Sequence, residues 1–371
     1  MPRARYCTAA STTKASHHSK PPSPHHSTHR PTGMSPRQER LFHFGVCSDV
    51  QYADIPNGHS FAGIPRFYRG ALDCTARAVA AWQADGVQFA LHLGDIVDGF
   101  AKENAPFALE SVLQEFSKLG RPVFHLIGNH CLYNLPRKLL NHRMGIQGPP
   151  SGASYYSFTP HPGWRFVVLD SYDISLIGWQ ASHPNAAAAA TLLDQRNPNE
   201  SKNSPEGLEG LNRRFVAFNG GISIEQLRWL DSECQEAAQD GQQVIIFSHV
   251  PLCPGTCDPI TLVWNYEEVM QVLHRHPNVV ASFCGHTHND SYVQDDVGIH
   301  HVVLKGIVEA QPGHDCHGIV EVFTDFIVIR GAGLQSAVMQ IKPLASQPRK
   351  PSFGKAAQDV MDCLPLLKIS K

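Results

Sequence analysis

The sequence predicts an α/β fold, and two observations predict it. Apolar runs of five to seven residues alternate with stretches of helical period in the order strand, helix, strand, helix, strand. That is the pattern of a parallel sheet with covering helices. Five polar clusters each follow directly on such a run: Asp49-Val-Gln51, Gly94-Asp95-Ile-Val-Asp98-Gly99, Gly128-Asn129-His130, Ser248-His249 and Gly285-His286-Thr287-His288. Strand ends are where an open α/β sheet presents its ligands, so a sheet that gathers these ends gathers the clusters too.

Residues 41–47, Leu-Phe-His-Phe-Gly-Val-Cys, form the first strand and deliver Asp49. Residues 67–84 are helical, with Leu72, Ala76, Val79, Ala80 and Trp82 near one face. Residues 87–93 form a second strand, 105–119 a helix and 122–127 a third strand that ends at Gly128. Two antiparallel strands at 154–158 and 165–169 join through Pro160-His-Pro162-Gly163. From 180 to 214 the composition shifts to five consecutive alanines and then Asn- and Pro-rich sequence, a long surface excursion with room for a short helix on the alanines. Ser223-Ile-Glu-Gln226 is a capping-box pattern that opens a helix running to about 239. Residues 243–247 are a strand, 265–275 a helix, and 278–284 the strand that feeds Gly285. Segments 300–305, 318–323 and 326–330 read as closing antiparallel strands, so the main domain spans 41–332, and 333–371 reads as a tail.

Composition narrows the class. A chain of 371 residues with 42% hydrophobic residues can bury a large core. A formal net charge of -2 gives no electrostatic reason to expect nucleic acid or an anionic membrane. No apolar stretch is long enough to span a bilayer. Ten cysteines without a Cys-x-x-Cys pair, some inside apolar runs, fit a reducing, intracellular setting, the cytoplasm first. Residues 1–38 carry Ser, Thr, Pro, His and basic residues and no Asp or Glu. They read as a disordered tail, with an organelle transit peptide as the sharper alternative.

Asp, Gln, Asn and His offer oxygen and nitrogen donors, which suit Mn²⁺, Mg²⁺ or Fe²⁺ better than a thiolate zinc site. Seven such residues, Asp49, Gln51, Asp95, Asn129, His249, His286 and His288, are too many for one four-coordinate ion and suit two ions sharing a bridge. Two carboxylates against two divalent cations leave net positive charge, which favours an anionic phosphate substrate. Read as an extended segment, the loop at 286–288 puts both histidines on one side. Taken singly, each cluster is equally a turn or a surface histidine. Cys253 and Cys257 with His249 form an alternative zinc cluster.

The motif set Asp-x-Gln, Gly-Asp-x-x-Asp-Gly, Gly-Asn-His, a later His and Gly-His-x-His resembles the calcineurin-like metallophosphoesterases over residues 42–330. Asp49-Val-Gln51-Tyr52, Gly128-Asn-His-Cys-Leu-Tyr-Asn134, Phe218-Asn-Gly-Gly221, Trp264-Asn-Tyr-Glu-Glu268 and Gly298-Ile-His-His-Val-Val303 are similar to its manganese-dependent ADP-ribose/CDP-alcohol diphosphatase branch. The resemblance implies a four-layer α/β/β/α sandwich of two mixed sheets. It implies two divalent ions, Mn²⁺ first and Mg²⁺ or Fe²⁺ as alternatives, bridged by Asp95. Asp49, Gln51 and His288 complete one coordination sphere, and Asn129, His249 and His286 the other. His130 faces the substrate as the catalytic group, stabilising phosphoryl charge or protonating the leaving group.

The implied reaction is hydrolysis of the diphosphate bond in ADP-ribose, CDP-choline and similar CDP-alcohols by a metal-activated hydroxide. It gives a nucleoside monophosphate and a phosphorylated partner, and the enzyme is expected to act on this small molecule as a monomer. Many relatives have an acid directly after the histidine where this chain has Cys131, which puts the orientation of His130 in question. Arg66 and Arg69 equally meet a phosphate or coat a helix, with Arg69, Tyr133 and Cys253 taken as substrate contacts, and Tyr52, Phe61 and Tyr133 either stack on a base or pack in the core. A cyclic-nucleotide phosphodiesterase or phosphoprotein phosphatase of the same chemistry stays open, as does a non-catalytic scaffold.

Overall fold

The computed structural model describes residues 39–343. The expectations of a disordered or transit segment at 1–38, and of a tail beyond 343, fall outside the described residues. The chain runs β1 (Phe42–Cys47), a two-stranded ribbon of β2 (Gly58–His59) and β3 (Pro65–Arg66), α1 (Gly70–Asp85), β4 (Ala90–His92), α2 (Ala105–Ser117) and β5 (Val123–His125). Two short helices follow, α3 (Asn129–Asn134) and α4 (Arg137–Arg143), then the hairpin of β6 (Tyr156–His161) and β7 (Trp164–Val168). Next come α5 (Pro184–Arg196), α6 (Ile224–Gln239), β8 (Gln243–Phe247), α7 (Tyr266–Arg275) and β9 (Val279–Cys284). The remainder is all strand: β10 (Ser291–Gln294), β11 (His300–Val303), β12 (His317–Val322), β13 (Phe326–Ala332) and β14 (Ala337–Gln340).

Two mixed six-stranded sheets result, in the orders β14-β13-β12-β1-β4-β5 and β10-β11-β9-β8-β7-β6. Strands β1, β4 and β5 are mutually parallel, and so are β7, β8, β9 and β11. Alternation along β1 shows the layers. Phe42 and Phe44 point inward, and Phe44 meets Phe166 of β7 at 5.2 Å and Phe247 of β8 at 6.3 Å between ring centroids. Gly45 points the other way, where a Cβ would overlap the Trp82 ring of α1. Trp82 in turn stacks on Phe116 of α2 and donates to Gly318 O at 3.0 Å. The second sheet carries α6 over β7 and β8 on its outer side. Helices outside and an aromatic seam between two sheets make the expected four-layer sandwich. Each large aromatic in that seam stabilises the fold by about 3–5 kcal/mol relative to alanine.

Several elements differ from the sequence reading. The first hairpin turns at Pro162-Gly163, because β6 continues through Pro160 to His161 over an irregularity in register; an edge strand tolerates a proline. Strand β11 is parallel to β9, not antiparallel. The polar segment Ser-Tyr-Val-Gln forms β10 and reverses the chain first. Part of the expected tail is β14, an edge strand on β13 whose Met339 is buried while Val338 is exposed. The alanines do form a helix, α5, but the segment is more than a surface excursion. Ala189, Leu192 and Leu193 pack with Ile174, Phe215 and Trp264 as a second small core. Ser223 caps α6 by accepting from Gln226 N at 3.1 Å, while the Gln226 side chain turns away to Asp170 and Asp173. Among the described residues, no helix is long and apolar enough to cross a membrane.

Candidate metal centre

All five polar clusters lie at the carboxyl ends of parallel strands: β1 leads to Asp49 and Gln51, β4 to Asp95, β5 to Asn129, β8 to His249, and β9 to His286 and His288. Asp49, Asp95 and His249 each bring one ligand atom within 4.8 Å of the others, and all three are buried. Gln51 Nε2 lies 3.2 Å from Asp95 Oδ2 and 3.0 Å from His288 Nε2. Asn129 Oδ1 is 3.3 Å from His249 Nε2 and accepts from Tyr172 Oη at 3.0 Å. The His249 and His286 rings are 5.1 Å apart. The seven expected residues therefore come together, Gln51 with its amide NH2 and not its oxygen turned to Asp95 and His288.

The backbone marks the same place. Among the described non-glycine residues, positive φ occurs at Asp49 (52°), Gln51 (43°), Asp95 (58°), His286 (71°), His288 (60°) and Lys102 (48°). This left-handed conformation costs about 1–3 kcal/mol per residue, and five of these six positions are expected ligands. The segment at 286–288 is thus not extended, contrary to the sequence reading, and its two histidines diverge. His286 Nε2 meets Asn219 Oδ1 at 2.9 Å, and His288 Nδ1 meets Glu309 Oε1 at 2.9 Å. Close packing is also needed at Gly128, where a Cβ would overlap Asp95 Oδ1.

Electrostatics show what the donors lack. Burial alone would raise the Asp49 carboxyl, yet His288, His249 and the Ser48 hydroxyl hold it far below the usual range. Asp95 is likewise lowered to about 2, burial being outweighed by His249 and His130. Burial opposes charge on His249 and His288, but the carboxylates Asp95, Asp49 and Glu309 raise them to about 9. His286 is pushed down to about 3 by burial and by His249. Two buried carboxylates thus draw positive charge onto neighbouring histidines. Asp49 Oδ1 is buried, makes no hydrogen bond of good geometry, and faces His288 Nε2 at 3.3 Å and His249 Nε2 at 4.0 Å, so its charge needs a cation beside it. The oxygen and nitrogen donor set around this oxygen fits divalent metal ions.

His130 sits on the first turn of α3, partly accessible, with its backbone N–H donating to Asp95 Oδ1 at 2.8 Å. Its Nδ1 accepts from Gly99 N at 2.9 Å and lies 3.1 Å from Asp98 Oδ2. Cys131 is buried and accepts the Ile96 N–H on its sulfur at 3.3 Å. Tyr133 is exposed beside this site, 5.5 Å from the His130 ring, and its hydroxyl accepts from Asn129 Nδ2 at 3.3 Å. Two expected substrate contacts are engaged with other partners. Arg69 pairs with Asp54 at 2.6 Å on the surface. Cys253 is buried and directs its thiol at Pro254 O, near Asp295 and the Cys257 thiol. His249 faces Leu93 O and Asn129, so it forms no cluster with the two cysteines.

Arg66, not Arg69, is the arginine that reaches the donors: its guanidinium donates to Gln51 Oε1 at 2.6 Å and lies 3.6 Å from Asp98. The sequence could not separate the two, because only the β2–β3 ribbon turns Arg66 inward. Asp98, Glu309, Tyr172 and Asn219 were missed as site residues. Asp98 stood in a quoted motif, and nothing in the sequence marked Glu309 or Tyr172.

Residues 42–290 match the sequence profile of the calcineurin-like phosphoesterases. The chain belongs to that family. It is 46% identical over 301 residues to a manganese-dependent ADP-ribose/CDP-alcohol diphosphatase of Arabidopsis thaliana, covering 81% of this chain and 96% of the relative. It is 38% identical to the Homo sapiens protein of the same name, covering 82% and 93%. A dimetal phosphatase from Danio rerio superposes with a TM-score of 0.77 at 34% identity, over 82% of this chain and 100% of that one. The calcineurin-like phosphoesterase fold accounts for the two mixed sheets and for the convergence of all five motifs at one edge.

Proposed function

We propose that the chain hydrolyses the diphosphate bond of ADP-ribose, CDP-choline and related CDP-alcohols with two divalent ions, Mn²⁺ first. The observation that carries this reading is the buried convergence of Asp49, Asp95 and His249, with Asp49 Oδ1 making no hydrogen bond. The names of the similar proteins support the substrate class. Asp95 lies between the two donor groups and would be shared by both ions. Asp49, Gln51 and His288 would hold one ion, and Asn129, His249 and His286 the other. When bound, the ions activate water and neutralise phosphoryl charge.

This chain's own residues supply the rest. In a neutral His130 ring, Nδ1 accepts from Gly99 and the proton sits on Nε2, where it can pass to a phosphoryl oxygen or the leaving group. A second proton on Nδ1 would face the Asp98 carboxylate. Arg66 places a cation beside the donors, while Tyr133 offers an aromatic face to a base. The reading includes a monomer, and a reducing, cytoplasmic setting with which the eight free cysteines among the described residues agree.

A panel of ADP-ribose, CDP-choline, cyclic AMP and a phosphopeptide, run with Mn²⁺ and with Mg²⁺, tests it. Nucleoside monophosphate release from the first two is expected. Turnover confined to cyclic AMP or the phosphopeptide would move the chain to another activity of the family.

A further inference from the structure

The motifs Phe218-Asn-Gly-Gly221 and Trp264-Asn-Tyr-Glu-Glu268 hold none of the seven donors, yet they are clasped together. Trp264 N donates to Gly220 O at 2.9 Å, and Asn265 exchanges two side-chain hydrogen bonds with the Ile222 backbone, each 2.9 Å. Gly220 must be glycine because a Cβ there would overlap Ser171 O. Trp264 Nε1 also donates to Val216 O at 3.2 Å. This clasp fixes one side chain, Asn219, which is fully buried.

The amide of Asn219 has only one orientation open to it. Its Nδ2 donates to Arg214 O at 3.0 Å and to Ile260 O at 2.8 Å. A flipped amide would set its oxygen against two carbonyl oxygens, so the network assigns the atoms. Oδ1 is left facing His286 Nε2 at 2.9 Å. An oxygen there can only accept, so Nε2 carries the proton and Nδ1 is the bare nitrogen.

We infer that Asn219 is a positioning residue that locks His286 in the Nε2–H tautomer, presenting Nδ1 as its metal-binding nitrogen. The metal part of this inference rests on the reading of His286 as a ligand. His249 is held the opposite way: its Nδ1 meets Leu93 O at 2.8 Å and its Nε2 faces Asp95 and Asn129. The two histidines assigned to one ion thus use different nitrogens, each set by a fixed oxygen partner, which is how such outer contacts orient ligands. The clasp also ties the ligand to the excursion at 180–214, through Arg214 O and through Trp264, which packs against α5.

The test is a long-range ¹H–¹⁵N NMR spectrum of the metal-free protein, together with Mn²⁺ titration followed by EPR for wild type, Asn219→Ser and Asn219→Ala. The inference expects His286 as the Nε2–H tautomer in wild type. In the variants it expects loss of that preference and about 10- to 100-fold weaker binding of one of two Mn²⁺ ions. An Nδ1–H tautomer in wild type would overturn it, and so would variants that keep both affinities. If the variants fail to fold, the wild-type spectrum still decides. A wild type that binds no Mn²⁺ sinks the metal reading alone, because the tautomer is read without metal.

Discussion

The carboxylate of Asp98 lies 3.1 Å from Nδ1 of His130, and Gly99, the next residue, donates its N–H to the same nitrogen at 2.9 Å. Both come from the turn after β4, so the ring is oriented from across the site and not by its chain neighbour. Asp98 is itself fixed, since its other oxygen accepts from Phe100 N at 2.8 Å. Cys131 therefore leaves His130 with its partners intact.

Asp98→Asn should lower kcat by about 10- to 100-fold with little change in KM, because it removes the carboxylate that lies against Nδ1 and orients the His130 ring. Steady-state kinetics on ADP-ribose checks this. Cys131→Ala should leave kcat within about twofold and instead cost about 1–2 kcal/mol of stability, by stranding the buried Ile96 N–H. A larger kinetic loss for Cys131→Ala than for Asp98→Asn would reverse the assignment.

Gln51 is a neutral donor, and its oxygen is held by Arg66 at 2.6 Å. Gln51→His should bind metal more tightly and lower the Mn²⁺ concentration giving half-maximal activity by several-fold. An unchanged titration curve would remove Gln51 as the reason for any strong manganese requirement.

Arg66 and Arg69 should part clearly on mutation. Arg66→Ala should raise KM for diphosphate substrates by about tenfold or more, since it removes the cation beside the donors. Arg69→Ala breaks only an exposed pair with Asp54, worth at most about 1 kcal/mol, and should leave KM unchanged. Equal effects on KM would return the two arginines to parity.

Away from the centre, Asp295 closes the β10–β11 turn. Its Oδ1 accepts from Val297, Gly298 and Ile299 N, and its Oδ2 is shared by His301 at 3.1 Å and His274 at 2.9 Å. Burial opposes its charge, but these donors hold its carboxyl well below the usual range. A folded pKa below the unfolded value means stability that is present above about pH 4 and lost as pH falls further. Asp295→Asn keeps the turn oxygen and loses the shared carboxylate. It should cost about 1–3 kcal/mol at pH 7 in denaturant melts, and the gap to wild type should narrow below about pH 4. A gap that stays constant down to pH 3 would contradict this.

Much of the site was legible because its donors are local signals, each a short polar cluster directly behind an apolar strand. Asp49, Asp95 and His249 could be read this way without knowing which strands pair. The partners that orient them could not. Glu309 reaches His288 from the loop after β11, and Tyr172 reaches Asn129 from the loop after β7. The Tyr172 contact exists only once the two sheets face each other, and the Glu309 contact only once β11 lies beside β9. The fold was legible where strands are buried on both faces, as in β1, β8 and β9. It was missed at the edges, where β10 and β14 are short and half polar.

The central claim is a two-ion centre bridged by Asp95. Counting bound Mn²⁺ per chain in wild type and Asp95→Ala, with ADP-ribose turnover measured on the same samples, tests it most directly. The account predicts two ions in wild type. In the variant it predicts a fold retained by circular dichroism, weakened binding of both ions, and turnover down by about 10³-fold or more. A single ion in wild type, or an Asp95→Ala protein still active at saturating metal, would contradict it.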